Sequence, residues 1–99
     1  MASFLVETFA PQLDAARLGE IVARARAAAE TVGGSDGRVR HVRSYVVPGD
    51  EMCFHVFEAT SDDLVVQVAA LAGIEIERIV ATIGIEGAGE PDPAYRVAT

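Results

Sequence analysis

The sequence has a single cysteine, no tryptophan and only six aromatic residues among 99. One cysteine excludes an internal disulfide, the usual staple of small secreted domains, so the fold must rest on its packed core. Basic charge is scarce: 8 basic residues stand against 15 acidic ones, for a net charge of −7. A nucleic-acid-binding surface needs a basic footprint, so DNA and RNA are excluded as main partners. No stretch reaches the ~20 apolar residues of a membrane helix. The start, MASFLVETFAPQLD, lacks the basic opening and the apolar run of a signal peptide. The expectation is a cytoplasmic protein with no membrane partner.

What is present is apolar and small. Hydrophobic residues make up 51% of the chain, much of it alanine and valine, which argues against disorder. The length suits one domain with a modest core. Residues 1–84 read as that domain. Residues 85–99, with two prolines and two glycines in EGAGEPDPAYRVAT, read as a flexible tail.

Ser3–Phe9 is a β-prone run ahead of Pro11 and predicts a first strand. From Leu13 to Val32, the apolar residues Leu18, Ile21, Val22, Ala25, Ala29 and Val32 recur at three- and four-residue steps, predicting an amphipathic helix. The segment Gly33-Gly34-Ser35-Asp36-Gly37 ends it. Val39–Val47 and Glu51–Ala59 read as strands joined by a Pro48-Gly49-Asp50 turn. Thr60-Ser61-Asp62-Asp63 opens a second helix with a stripe of Leu64, Val65, Val68 and Leu71, and Gly73 is placed to close it. Ile79–Ile85 predicts the last strand. The order βαββαβ gives an α+β, ferredoxin-like fold, a four-stranded antiparallel sheet with two helices on one face.

Nearly all the site chemistry lies in the 21 residues of Val39–Ala59, which hold His41, Arg43, Tyr45, Cys53 and His55. Side chains alternate along a strand, so parity assigns faces. Met52, Phe54 and Val56 are apolar and are expected to meet the helices together with Val42, Ser44 and Val46. His41, Arg43, Tyr45, Cys53, His55 and Phe57 would then share the helix-free face with Leu5 and Glu7. A hairpin closing symmetrically about Gly49 sets Tyr45 opposite Cys53, Arg43 opposite His55 and His41 opposite Phe57.

That patch supports three readings. His41, Cys53, His55 and Glu7 carry the donor types of a transition-metal site, though their spacing lacks the specificity of a paired CxxC motif. Arg43, Tyr45 and His55 together suit an anionic substrate, with a histidine in the acid/base role. No nucleophile elbow, phosphate loop or metalloprotease motif points to a definite reaction, so a non-catalytic protein is favoured. The apolar part of the open face suits a homodimer or an interaction module.

The hairpin also resembles a bacterial family of small ferredoxin-like proteins of largely unknown function, one branch of which is described as nickel-binding. The resemblance rests on Leu5-Val6-Glu7, on VRHVRSYVVPGDEMCFHVFEA at Val39–Ala59 and on AGIEIERIV at Ala72–Val80. The family pattern runs R-S-Y/T-x-V, a P-x-D/E-E turn, C-F-x-x-F/Y-E-A, a helix ending in A-G, and E-R-I-V. It implies the ferredoxin-like fold, a dimer with facing sheets, and nickel or another divalent transition metal as the cofactor. Histidine-richer members carry histidines where this chain has Arg43 and near Val68; the candidate ligands present here are His41, His55, Cys53 and Glu7, a set that the resemblance itself does not specify.

Overall fold

The computed structural model describes residues 1–83. Its elements are β1 (Ala2–Phe9), α1 (Ala15–Gly33), β2 (Val39–Val47), β3 (Met52–Ala59), α2 (Asp62–Ala72) and β4 (Arg78–Thr82). The sheet order is β2-β3-β1-β4, and every neighbouring pair is antiparallel. Both helices pack on one face, the ferredoxin-like arrangement expected from the element order. The end of the predicted last strand and the predicted tail lie outside the described residues. Among the described residues no helix is long and apolar enough to cross a membrane.

Local chemistry sets the helix ends. The Asp14 carboxylate accepts the Arg17 backbone N–H at 2.8 Å, capping α1 one residue later than the apolar pattern begins. Ser61 holds the cap position of α2 without a side-chain bond, and Asp62 and Asp63 fill its first turn. Gly73 closes α2 at φ 76, a left-handed conformation that glycine adopts without strain.

The core forms between the sheet and the helices. Phe4, Val6, Val39, Phe57 and Ala59 from the sheet meet Ala25, Ala28, Ala29, Val65, Val68 and Ala72 from the helices. The α2 stripe is rotated from the expected one: Val65, Val68, Ala69 and Ala72 are buried, while Leu71 is 58% exposed. The alanines of α1 bring that helix close to the sheet, and Gly33 takes this furthest. A Cβ there would lie 3.0 Å from the Val39 carbonyl oxygen and 3.2 Å from the Val39 nitrogen.

The hairpin departs from the expected register in two places. Glu51 adopts a left-handed conformation (φ 54) and its N–H bonds the Pro48 carbonyl at 3.2 Å, so the connection takes four residues, 48–51. Val47 therefore pairs with Met52, Tyr45 with Phe54 and Arg43 with Val56, in place of the symmetric pairing about Gly49. A β-bulge between His41 and Arg43 then absorbs one residue, and His41 does face Phe57.

The faces follow from these shifts. β1 is as expected, with Phe4 and Val6 buried toward the helices. β3 is inverted: Phe57 pairs with Phe4 and His55 with Val6, so Cys53, His55 and Phe57 are the helix-facing residues, all fully buried. The helix-free face carries Met52, Phe54 and Val56, with Leu5, Arg43 and Tyr45 beside them.

Candidate functional site

The bulge gives β2 its unusual contribution. Three residues apart on a regular strand, His41 and Ser44 would point to opposite faces. With one residue absorbed between them, His41 pairs with Phe57 and Ser44 with His55, both on the helix side. On β3, Cys53 and His55 share that side through the two-residue repeat. The hairpin thus places four polar side chains beneath α1.

They form a continuous hydrogen-bonded chain. Arg26 of α1 donates through Nε to His41 Nδ1 at 3.4 Å. Arginine can only donate, so Nδ1 is the acceptor and the His41 proton sits on Nε2, which donates to Ser44 Oγ at 2.7 Å. The Ser44 hydroxyl then donates to His55 Nδ1 at 2.5 Å, and His55 Nε2 faces Cys53 Sγ at 3.5 Å. Each group donates to the next, and among the described residues no buried side-chain polar atom lacks a partner. The His41 ring also meets Phe57 edge-on, with centroids 5.4 Å apart.

Burial sets the protonation states. The pKa of His55 is lowered to about 4 by desolvation and then by His41. That of His41 is also lowered to about 4, by desolvation and then by the Arg26 guanidinium. Both imidazoles are therefore neutral at pH 7 and keep their lone pairs. Burial pushes the Cys53 thiol up, so it rests as S–H and is no ready nucleophile.

The two ends of the chain reach two clefts. Cys53 and His55 form the floor of one of about 430 Å³, walled by Arg17 and Arg24 of α1 and by Glu75 after α2. Positions 17 and 24 are two helical turns apart and share one side of α1. Arg24 also donates through Nε to the Ala72 carbonyl at 3.0 Å, tying α1 to the end of α2. His41 and Arg26 line the second cleft, of about 310 Å³.

The residues singled out in the sequence are thus divided between the two faces. His41, Cys53 and His55 come together, but beneath the helices and not on the open face. Glu7 lies on the open face, with an oxygen 3.7 Å from Arg78 Nε. Arg43 and Tyr45 are exposed on that face, Tyr45 stacked on Phe54 at 5.3 Å, so they form no pocket with His55. Sequence reasoning missed Ser44, Arg26, Arg17 and Arg24. The helical spacing of Arg17, Ile21 and Arg24 was the available signal for the last two.

As a metal site the arrangement is incomplete. Among the described residues no group of three or more His, Cys, Asp or Glu side chains is placed to hold one ion. The ring nitrogens of His41 are engaged by Arg26 and Ser44. The Cys53–His55 pair remains, a sulfur and a nitrogen 3.5 Å apart. An ion about 2.3 Å from sulfur and 2.1 Å from nitrogen spans donors roughly 3.1–3.6 Å apart, so the pair fits two coordination positions.

Comparison with known proteins bears on the same fold. The crystal structure of SCO4226 from Streptomyces coelicolor A3(2) superposes with a TM-score of 0.68 at 18% identity, covering 87% of this chain and 100% of that one. At that identity the likeness shows a shared fold. No curated protein matches. Residues 4–81 match the family described as "Nickel responsive protein SCO4226-like". That match spans both helices and nearly the whole sheet, and the chain belongs to the SCO4226-like family of nickel-responsive proteins.

Proposed function

We propose that this chain is a ligand-binding protein that takes a divalent transition metal, nickel first, at the Cys53–His55 pair on the floor of the larger cleft. The observation that carries this reading is the 3.5 Å separation of a sulfur and an imidazole nitrogen on one strand face. The lowered pKa of His55 supports it, because the ring is neutral at pH 7 and has one lone pair to offer. Binding requires the His55 proton to move from Nε2 to Nδ1, where Ser44 Oγ accepts its hydrogen bond, and the Cys53 proton to leave for solvent, so affinity rises with pH. Neither donor has exposed surface, so the side chains lining the cleft must part to admit the ion. A lone thiol as donor also favours the reducing cytoplasm.

The test is a nickel titration followed by thiolate-to-metal absorption and thermal melting. Nickel at about 100 times its dissociation constant should stabilise the fold by roughly 2.7 kcal/mol, and Cys53→Ser should abolish the absorption. No absorption and no melting shift at a several-fold excess would sink the reading.

The open sheet face supports a second proposal, that two copies of the chain pair through it. Tyr45 and Phe9 are 43% and 56% exposed there, beside the half-buried Leu5, Phe54 and Val56. Sedimentation should report a dimer that Tyr45→Glu dissociates; a wild-type monomer at about 100 μM would overturn it.

A further inference from the structure

The whole chain carries a net charge of −7, so most of its surface repels an anion. The two clefts reverse that balance, each lined by two arginines and one glutamate among the described residues. Their arginines differ in what they have left to offer. In the smaller cleft Arg26 gives Nε to His41, and Arg40 is paired with Glu58 at 2.6 Å. In the larger cleft Arg24 uses only Nε, on Ala72, and keeps its Nη groups. Among the described residues the Arg17 side chain has no hydrogen bond or ion pair within the chain. Seven residues at a rise of about 1.5 Å set the two Cα atoms roughly 10 Å apart along α1, a span that two arginine side chains close onto one anion.

The larger cleft also has an apolar wall. Leu13, Ile21 and Ile74 line it, each half-buried, whereas the smaller cleft has the buried Ala29 and Val39. Its volume of about 430 Å³ lies within the roughly 300–1,000 Å³ of small-molecule sites. Gln12, in the same wall, holds φ 59, a left-handed conformation uncommon for a residue with a Cβ. Such strained backbone concentrates where a fold shapes a ligand site. The floor offers a ligand no polar surface, since Cys53 and His55 are fully buried and face each other. Recognition therefore falls to the walls, with charge from α1 and apolar surface beside it.

We infer that the larger cleft binds a small organic monocarboxylate with an apolar body. Arg17 receives the carboxylate through two parallel N–H bonds, and the Nη groups of Arg24 donate to it from the next turns of α1. The apolar body lies on Leu13, Ile21 and Ile74. One negative charge balances the surplus that Glu75 leaves, where a bare phosphate or sulfate would leave the apolar wall wet. No metal takes part, so this site stands or falls apart from the Cys53–His55 reading.

NMR titration of the labelled protein at neutral pH, in buffer stripped of divalent metals over a chelating resin, tests it with four probes. Phenylacetate and 4-methylpentanoate should bind with a Kd of about 1 mM or below and shift the amides of Arg17, Ile21 and Ile74. Phenylacetamide has the shape without the charge and acetate the charge without the body, and each should bind at least about tenfold more weakly. Arg17→Gln should weaken phenylacetate binding roughly tenfold, and so should Arg24→Gln with its fold checked by melting. Phenylacetamide binding as tightly as phenylacetate would overturn the inference, as would affinity retained when both arginines are replaced. Shifts centred on Arg26 and Arg40 would overturn it by placing the anion in the smaller cleft. So would the absence of saturable binding by either apolar carboxylate up to about 20 mM.

Discussion

Lowering the pH from 7.5 to 5 drives protons toward two imidazoles that the fold holds neutral. His41 and His55 each have a folded-state pKa of about 4 against an ordinary value of 6.5. A lowered folded pKa means that the unfolded chain binds more protons between those values. The stabilisation is therefore complete above about pH 6.5 and is lost as the pH falls toward 4. For one such group the loss between pH 7.5 and 5 is about 2 kcal/mol. The two histidines are not independent, since a charge on one opposes charge on the other, and His41 is partly exposed. Their joint loss is therefore about 2–4 kcal/mol, a large share of the ~5–15 kcal/mol typical of a domain. The groups facing them do not rescue the charged forms: Arg26 comes from α1, Ser44 from β2 and Cys53 from β3, with Arg17, Arg24 and Glu75 around the cleft. Urea unfolding followed by far-UV circular dichroism at several pH values reads the loss directly. With a slope of about 1 kcal/mol per molar urea, the midpoint should fall by roughly 2–4 M. A His41→Asn/His55→Gln double variant separates the histidine contribution from that of the carboxylates. A midpoint that holds constant to pH 5, or a His55 ring that titrates near 6.5 by NMR, would refute the reasoning.

Further expectations follow from single contacts. Ser44→Ala removes the group between the two imidazoles and should destabilise the fold by about 1–3 kcal/mol, measured as a shifted urea midpoint. Gly33→Ala drives a Cβ into the backbone of Val39. It should lower stability by about 1–3 kcal/mol despite alanine's better helix propensity, seen as a fall of several degrees in Tm. Arg40→Ala breaks the pair with Glu58 at 2.6 Å. Because the arginine is mostly exposed, the change in unfolding free energy should stay below about 1 kcal/mol.

The element order, the helix faces of β1 and the glycine stop of α2 were legible because each rests on local chemistry. The site was only half legible. Parity assumes that the more apolar edge of a strand meets the helices, and on β3 Met52, Phe54 and Val56 look more apolar than Cys53, His55 and Phe57. The buried alanines of α1 are small enough not to crowd the Phe57 and His55 rings between helix and sheet. Burial of His55 is affordable only because Ser44 and Cys53 satisfy both its nitrogens. That compensation is three-dimensional and leaves no mark in the order of residues. Nor does the turn announce itself, since its left-handed residue is Glu51 and not a glycine or asparagine.

The bulge in β2 also has an evolutionary meaning. It stores one surplus residue, so a single-codon deletion at Val42 would leave His41 against Phe57 and Ser44 against His55, now on a regular ladder. His-Arg-Ser and His-Val-Arg-Ser spell the same face. A deletion at Tyr45 has no such shelter and would invert one side of the strand. One residue can therefore be lost at this position with the buried polar chain intact, while elsewhere in β2 a loss shifts the ladder.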